Sequence, residues 1–180
     1  MIIFLGVAGS GKSTQSKLLS ESLGYSYISV GELLRKISNQ QIQKKMYSGD
    51  MLDDNIVIDV VEDAIKNIPV SEEVIIDGFP RTLHQAEWIV AKRDLGLIRV
   101  INIEINLPEI IQRLRARARP DDNVEAIRKR IDEYNSSINP ILEEFRSNNI
   151  CVCNIDGSLG PKEVHEQIKK YIIENHKVEI

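Results

Sequence analysis

The sequence has little of what marks a secreted, membrane-spanning or nucleic-acid-binding protein. Two cysteines, Cys151 and Cys153, occur in 180 residues. They are too few and too closely spaced for a disulfide framework, and no further Cys or clustered His joins them as a metal site. They read as small residues of a strand, NICVCNI, expected to be buried. No apolar run approaches the roughly 18 residues needed to span a bilayer. The short apolar start lacks a basic leader and reads as a strand rather than a signal peptide. Positive charge is not in excess: 23 Lys and Arg stand against 27 Asp and Glu, a formal net charge of -4. Bulk attraction to nucleic acid or an anionic membrane is therefore not expected. Internal repeats and low-complexity linkers are also missing. The chain is expected to be one cytoplasmic domain, 1–180, with a sizeable core and with neither nucleic acid nor membrane as partner.

What the sequence does have is alternation. Strand-like runs occur at IIFLG, YSYIS, EVIID, IRVINIEI and NICVCNI. Helical spacing fills the intervals 12–23, 31–47, 53–67, 82–93, 108–117, 124–147 and 161–175. This order predicts an α/β fold, a five-stranded parallel sheet with helices on both faces. Pro108 and Pro161 fall where helices are expected to begin, where a missing N–H is harmless.

The first strand runs into GVAGSGKS, Gly6 to Ser13, and then a helix. Gly, four residues, Gly, Lys and Ser or Thr is the phosphate-loop spacing. Glycines let successive N–H groups point into one concavity, and the helix that follows adds its partial positive charge. Gly9, Ser10, Gly11, Lys12, Ser13 and Thr14 are therefore expected to cradle a nucleoside triphosphate. Lys12 supplies a mobile cation between the β- and γ-phosphates, and Ser13 offers a hydroxyl to magnesium.

The acceptor side is written in VIIDGFPRTLHQAE, Val74 to Glu87. Asp77 ends a buried strand at the carboxyl edge, where ligands of open α/β sheets gather, and an acid there is suited to hold magnesium through water. Gly78 and Pro80 shape a turn. Arg81 follows, able to grip a phosphate with two bonds, and Gln85 lies one helical turn on, with a carboxamide suited to read a base edge.

With these residues the chain resembles the nucleoside monophosphate kinases, and adenylate kinases of the short-lid type most closely. DGFPRTLHQAE carries the family signature in full. VGELLR, Val30 to Arg35, resembles the acceptor-helix segment, YSGDMLDDNIVIDVV the end of the small acceptor-binding region, QRLRARARPDDNVEAIRKRI the arginine-rich lid and its helix, and IDGS the loop beside the donor adenine. The resemblance implies a phosphotransferase that moves phosphate from ATP to AMP, reversibly, giving two ADP, with magnesium. It implies a phosphate-loop fold with an acceptor-binding region at about 30–59 and a short lid at about 115–123. The small-molecule nucleotides ATP, AMP and ADP are the implied partners, and a monomer is expected.

Carried over by position, Arg35 and Arg81 hold the acceptor phosphate and Gln85 bonds the acceptor adenine, with Val30, Gly31, Leu52, Val57 and Gly78 lining the same site. Arg113 and Gly157 lie on the donor adenine side, and Arg117, Arg119 and Arg130 converge with Lys12 on the phosphates. Arg128 is read as pairing with acids or facing solvent. Pro120-Asp121-Asp122 interrupts the basic run and reads as a turn braced by Arg–Asp pairs.

The chain departs from the family pattern at several positions. Ala8 replaces a usual proline, Ser13 a usual glycine, Glu32 a usual Asp, and Val30 the Thr that usually touches the acceptor base. Val30 keeps open a UMP or CMP kinase of the same fold. A nucleotide-binding regulatory factor with little transfer activity is a further alternative. His84, His165 and His176 have no metal-spaced partners and receive no role. Trp88 is expected to pack its helix on the sheet, and Asp50, Asp53 and Asp54 to serve helix capping and solubility.

Overall fold

Ile2, Ile3, Phe4 and Leu5 are all buried because the strand they form has helices on both sides. In this computed structural model, which describes residues 1–92, 96–117, 119 and 122–175, that strand is the centre of the sheet. Strands β1 (Ile2–Leu5), β2 (Ser26–Ser29), β3 (Val74–Asp77), β4 (Arg99–Glu104) and β5 (Cys151–Asp156) pair in parallel in the order β2-β3-β1-β4-β5. The helices are α1 (Lys12–Leu23), α2 (Val30–Lys36), α3 (Gln40–Ser48), α4 (Asp54–Lys66), α5 (Leu83–Ala91), α6 (Leu107–Arg117), α7 (Val124–Ser147) and α8 (Pro161–Asn175).

The two-residue period of a strand sorts the core into two layers. Ile3, Leu5, Val74, Ile76 and Val100 face α2, α4, α5 and α7 through Leu34, Val57, Val61, Ile89, Ile141 and Phe145. Ile2, Phe4, Ile75, Ile101 and Ile103 face α1 and α8 through Leu19, Val164, Ile168 and Ile172. A third cluster, Val7, Ile110, Leu114 and Ile127, binds α6 and α7 to the glycine loop. Chain direction turns on β1: β3 lies on one side of it and β4 on the other. The crevice of such a sheet opens at the carboxyl ends of these strands.

Two expectations need correction. The helical pattern over 31–47 is two helices. Ile37 is extended and closes α2, and the Asn39 side chain accepts from the backbone N–H of Gln41 and Ile42 to start α3. An Asn placed there competes with helix continuation by capping the next one. NICVCNI is not a buried strand. As the sheet edge, β5 leaves Cys151 exposed and Cys153 half-buried, and burial alone raises the Cys153 thiol. β4 also carries a buried cation. Arg99 is 1% exposed, and its Nη2 donates to Glu73 Oε1 at 2.6 Å. Elsewhere, Trp88 packs edge-on against Phe79, with ring centroids 5.9 Å apart. His84 lies exposed beside Glu87, and His176 lies outside the described residues.

Phe145 is fully buried in the layer that seats α7 on the sheet. Phe145→Ala should cost about 3–5 kcal/mol of stability from lost transfer energy and the cavity left behind. Urea unfolding of the two proteins measures it.

Candidate active site

The glycine loop leaves β1 in a conformation that side chains resist. Gly6, Gly9 and Gly11 have φ of 145°, 88° and 98°. A Cβ on Gly6 would lie 2.8 Å from the Ile103 carbonyl oxygen, so the loop hugs β4 as it turns. Ser10 is buried at the loop's base, and Lys12 opens α1 with its Nζ 3.3 Å from the Val7 carbonyl. Removal from water pushes the Lys12 ammonium down to about 8. Asp77 opposes this fall, while Arg81, Arg117 and Arg119 add to it.

One cleft, of about 950 Å³ counted out to its open mouth, lies over the carboxyl edge of β1 and β3. Lys12, Arg35, Arg81, Arg117, Arg119 and Arg130 line it, six cations against the acids Glu32, Asp50 and Asp77. Val30, Gly31, Leu52, Val57, Gly78 and Gln85 line the same cleft, as does Ser13. The residues expected around the acceptor therefore meet those expected around the transferred phosphate. Thr14 lies on the first turn of α1 and is exposed.

Arg113 belongs to a second group beside the cleft. Its guanidinium donates to the Ser10 carbonyl at 3.4 Å and the Gly157 carbonyl at 2.9 Å, and pairs with Glu109 at 3.5 Å. Gly157 leaves no room for a side chain, since a Cβ would lie 2.7 Å from Ile103 Cγ2 and 3.2 Å from the Ser10 carbonyl oxygen. Arg113 thus ties the glycine loop to the turn between β5 and α8.

Asp77 is 3% exposed. Its Oδ2 accepts from the Tyr27 hydroxyl at 3.3 Å, and its Oδ1 is buried without a hydrogen-bond partner. Desolvation and the Asp77 charge push the Tyr27 phenol up to about 12, so it stays a donor. An unpartnered buried carboxylate oxygen facing a cationic cleft is a free ligand position. Among the described residues no three His, Cys, Asp or Glu side chains gather as a metal cage. Asp77 and Ser13 both line this cleft with side-chain oxygens.

One acid bridges Arg117 of α6 and Arg130 of α7. Asp122 accepts from Arg117 Nε at 2.8 Å and Nη2 at 2.5 Å, from the Arg119 N–H at 3.3 Å and from Arg130 Nη1 at 3.4 Å. The expected Arg–Asp brace is present at Asp122, while Ala118, Pro120 and Asp121 lie outside the described residues. Arg115 and Arg128 are exposed, and Lys129 pairs with Asp50 at 2.9 Å rather than turning inward.

Two partnerships escaped sequence reading. Asp54, expected only to help start a helix, accepts from Gln85 Nε2 at 2.7 Å and from Thr82 Oγ1 at 3.0 Å, while Asp53 does the capping of α4. The α3 end is joined to α7 by Asn123 donating to the Tyr47 carbonyl and Arg130 to the Met46 carbonyl. Neither pairing has a local sequence signal, because each partner sits on a distant helix.

The adenylate kinase family model matches residues 4–150. The chain belongs to the adenylate kinase family. It is 34% identical to "Adenylate kinase 1" of Nostoc sp. over 177 residues, covering 93% of this chain and 96% of that protein. It is 30% identical to an adenylate kinase of Thermus thermophilus over 181 residues, covering 93% and 94%. It is also 33% identical to one of Elusimicrobium minutum, covering 96% and 98%. The matched span of the adenylate kinase model runs from β1 to the residue before β5, and so contains every residue lining the cleft.

Burial alone would raise the Asp122 carboxyl, but the bonds from Arg117 outweigh it and hold it below the usual carboxylate range. Its folded value is depressed, so its stabilising share is present above the ordinary carboxylate value and is lost as pH falls through the depressed one. Asp122→Asn should lose about 1.5–3 kcal/mol at pH 7, the range for hydrogen bonds to charged groups. It should also lose less on acidification than the wild type. Urea midpoints from pH 7 to pH 3 compare the two slopes.

Proposed function

We propose that this protein catalyses the reversible transfer of the γ-phosphate of ATP to AMP, giving two ADP, in keeping with relatives named adenylate kinase. The observation that carries the reading is the single cleft in which Lys12 and five arginines face Gln85 and an apolar slot of Val30, Leu52 and Val57. A protein that only binds ATP has no use for the second half of that cleft.

In this reading the glycine loop and Lys12 hold the donor phosphates. Arg113 and Gly157 flank the donor adenine. Arg35 and Arg81 grip the acceptor phosphate, and Gln85 faces the acceptor base. Arg117, Arg119 and Arg130 neutralise charge spread over the transferring group. Phosphoryl transfer needs positioning and charge stabilisation more than covalent help. No general base is required, because the acceptor phosphate is already an oxyanion. Ser13 and Asp77 would hold a magnesium ion, which would supply charge neutralisation for the phosphates. We further infer a cytoplasmic monomer. Two free thiols suit a reducing compartment, and the exposed large apolar side chains come from different elements. Among the described residues no helix is long and apolar enough to cross a membrane.

A coupled assay with ATP and each of AMP, UMP, CMP and GMP should show AMP preferred; faster turnover of UMP or CMP overturns the base assignment. Lys12→Ala should fold normally and lose at least about a hundredfold in rate, roughly 3 kcal/mol of transition-state stabilisation.

Lys12 also predicts a proton linkage. In the free protein it titrates near 8, and adjacent phosphates favour its charged form. ATP binding should therefore take up almost no proton at pH 6.5 and close to one at pH 9. Lys12→Ala should abolish the difference. Calorimetry in two buffers of unequal ionisation heat reads the proton count.

A further inference from the structure

The carboxamide of Gln85 sits in a closed ring of hydrogen bonds. Its Oε1 accepts from the Arg81 backbone N–H at 2.8 Å, and its Nε2 donates to Asp54 Oδ1 at 2.7 Å. Asp54 Oδ2 accepts from the Thr82 hydroxyl at 3.0 Å, and that hydroxyl accepts in turn from the Gln85 N–H at 3.2 Å. Gln85 is 1% exposed overall and lines the cleft.

A free carboxamide turns over at almost no cost, exchanging its donor and acceptor ends. This one cannot. An ionised carboxylate only accepts and a backbone N–H only donates, so both neighbours demand the same orientation. A flip would set Oε1 against the Asp54 carboxylate and Nε2 against the Arg81 N–H. One Nε2 hydrogen and one Oε1 lone pair remain unspent, and their positions are fixed.

We propose that Asp54 is a positioning residue that sets acceptor-base specificity by locking the polarity of Gln85. The proposal rests on the reading that Gln85 faces the acceptor base. The six-position substituent of a purine is an N–H donor in adenine and a carbonyl acceptor in guanine and hypoxanthine, and adenine offers a ring-nitrogen acceptor next to it. An amide free to turn accommodates either pattern by reversing itself. An amide held by Asp54 presents one arrangement, complementary to one class of purine. The other class meets lone pair against lone pair, leaving buried polar groups unpaired. Discrimination between purines with an amino and with an oxo group thus comes from a carboxylate behind the reader.

Asp54→Asn removes the lock, because an Asn carboxamide either donates or accepts. Asp54→Ser does the same with a smaller side chain whose hydroxyl both donates and accepts, and it serves where the Asn variant fails to fold. kcat/KM is measured for AMP, GMP and IMP at saturating ATP, together with KM for ATP. Either variant should lower the AMP-over-GMP and AMP-over-IMP ratios by at least about tenfold, with KM for ATP within about twofold of wild type. Thr82→Ala removes a bond to Asp54 but leaves the lock. It should lower thermal stability and keep both ratios. Equal loss with all three acceptors in the Asp54 variants, or unchanged ratios, overturns the proposal and leaves Asp54 a structural residue. Gln85→Ala in the same series separates the two readings. If it flattens the ratios while the Asp54 variants do not, only the lock fails. If it leaves them as in wild type, the placement of Gln85 at the base fails with it.

Discussion

Crowding of like charge governs this molecule. Six cationic side chains share one cleft in a chain whose formal net charge is -4. At short range such groups repel; the Lys12 ammonium is depressed first by desolvation, and Arg81, Arg117 and Arg119 add to the fall. Acids of the surrounding structure moderate this crowding. Asp122 bridges Arg117 and Arg130, and Asp77 faces Lys12 from the end of β3. In the proposed reaction the phosphates of bound nucleotides would relieve what the acids only moderate.

The sheet makes the crowding possible by geometry. Phe4 of β1 pairs with Asp77 of β3, so the loop that follows β1 and the acid that ends β3 emerge side by side. Val7, Leu114 and Ile127 then pack α6 and α7 beside that loop, where Arg113 of α6 also bonds the Ser10 carbonyl. Part of the positioning of the charged groups is thus delegated to neutral ones, which lose nothing by being buried.

Local signals made the fold legible. Short, nearly continuous apolar runs mark β1 and β3, the glycine loop announces itself by spacing, and most helix limits fall within a residue or two of their periodic pattern. The signals that failed are those in which a polar residue changes role through a distant partner. Asn39 splits a periodic run because its side chain caps a new helix. Arg99 hides in an apolar strand because Glu73 waits at the edge of the next loop but one. Within the site, residue types and spacings reveal the cations and Gln85. They do not reveal that Asp54, 31 positions away in sequence, holds the far side of Gln85. Hydrogen bonds between helices leave no periodicity in either helix.

The join between α3 and α7 is lopsided in a way that bears on sequence drift. Asn123 reaches the backbone carbonyl of Tyr47, whose own side chain is 57% exposed. Every amino acid brings the same carbonyl, so position 47 carries none of the information that makes this contact. All of it resides at position 123, which also caps α7 through the Ala126 N–H. Substitutions at 47 are therefore invisible to the join, whereas one at 123 strikes the join and the helix start together. An interface built this way ages unevenly, with one partner free to wander and the other pinned by two duties.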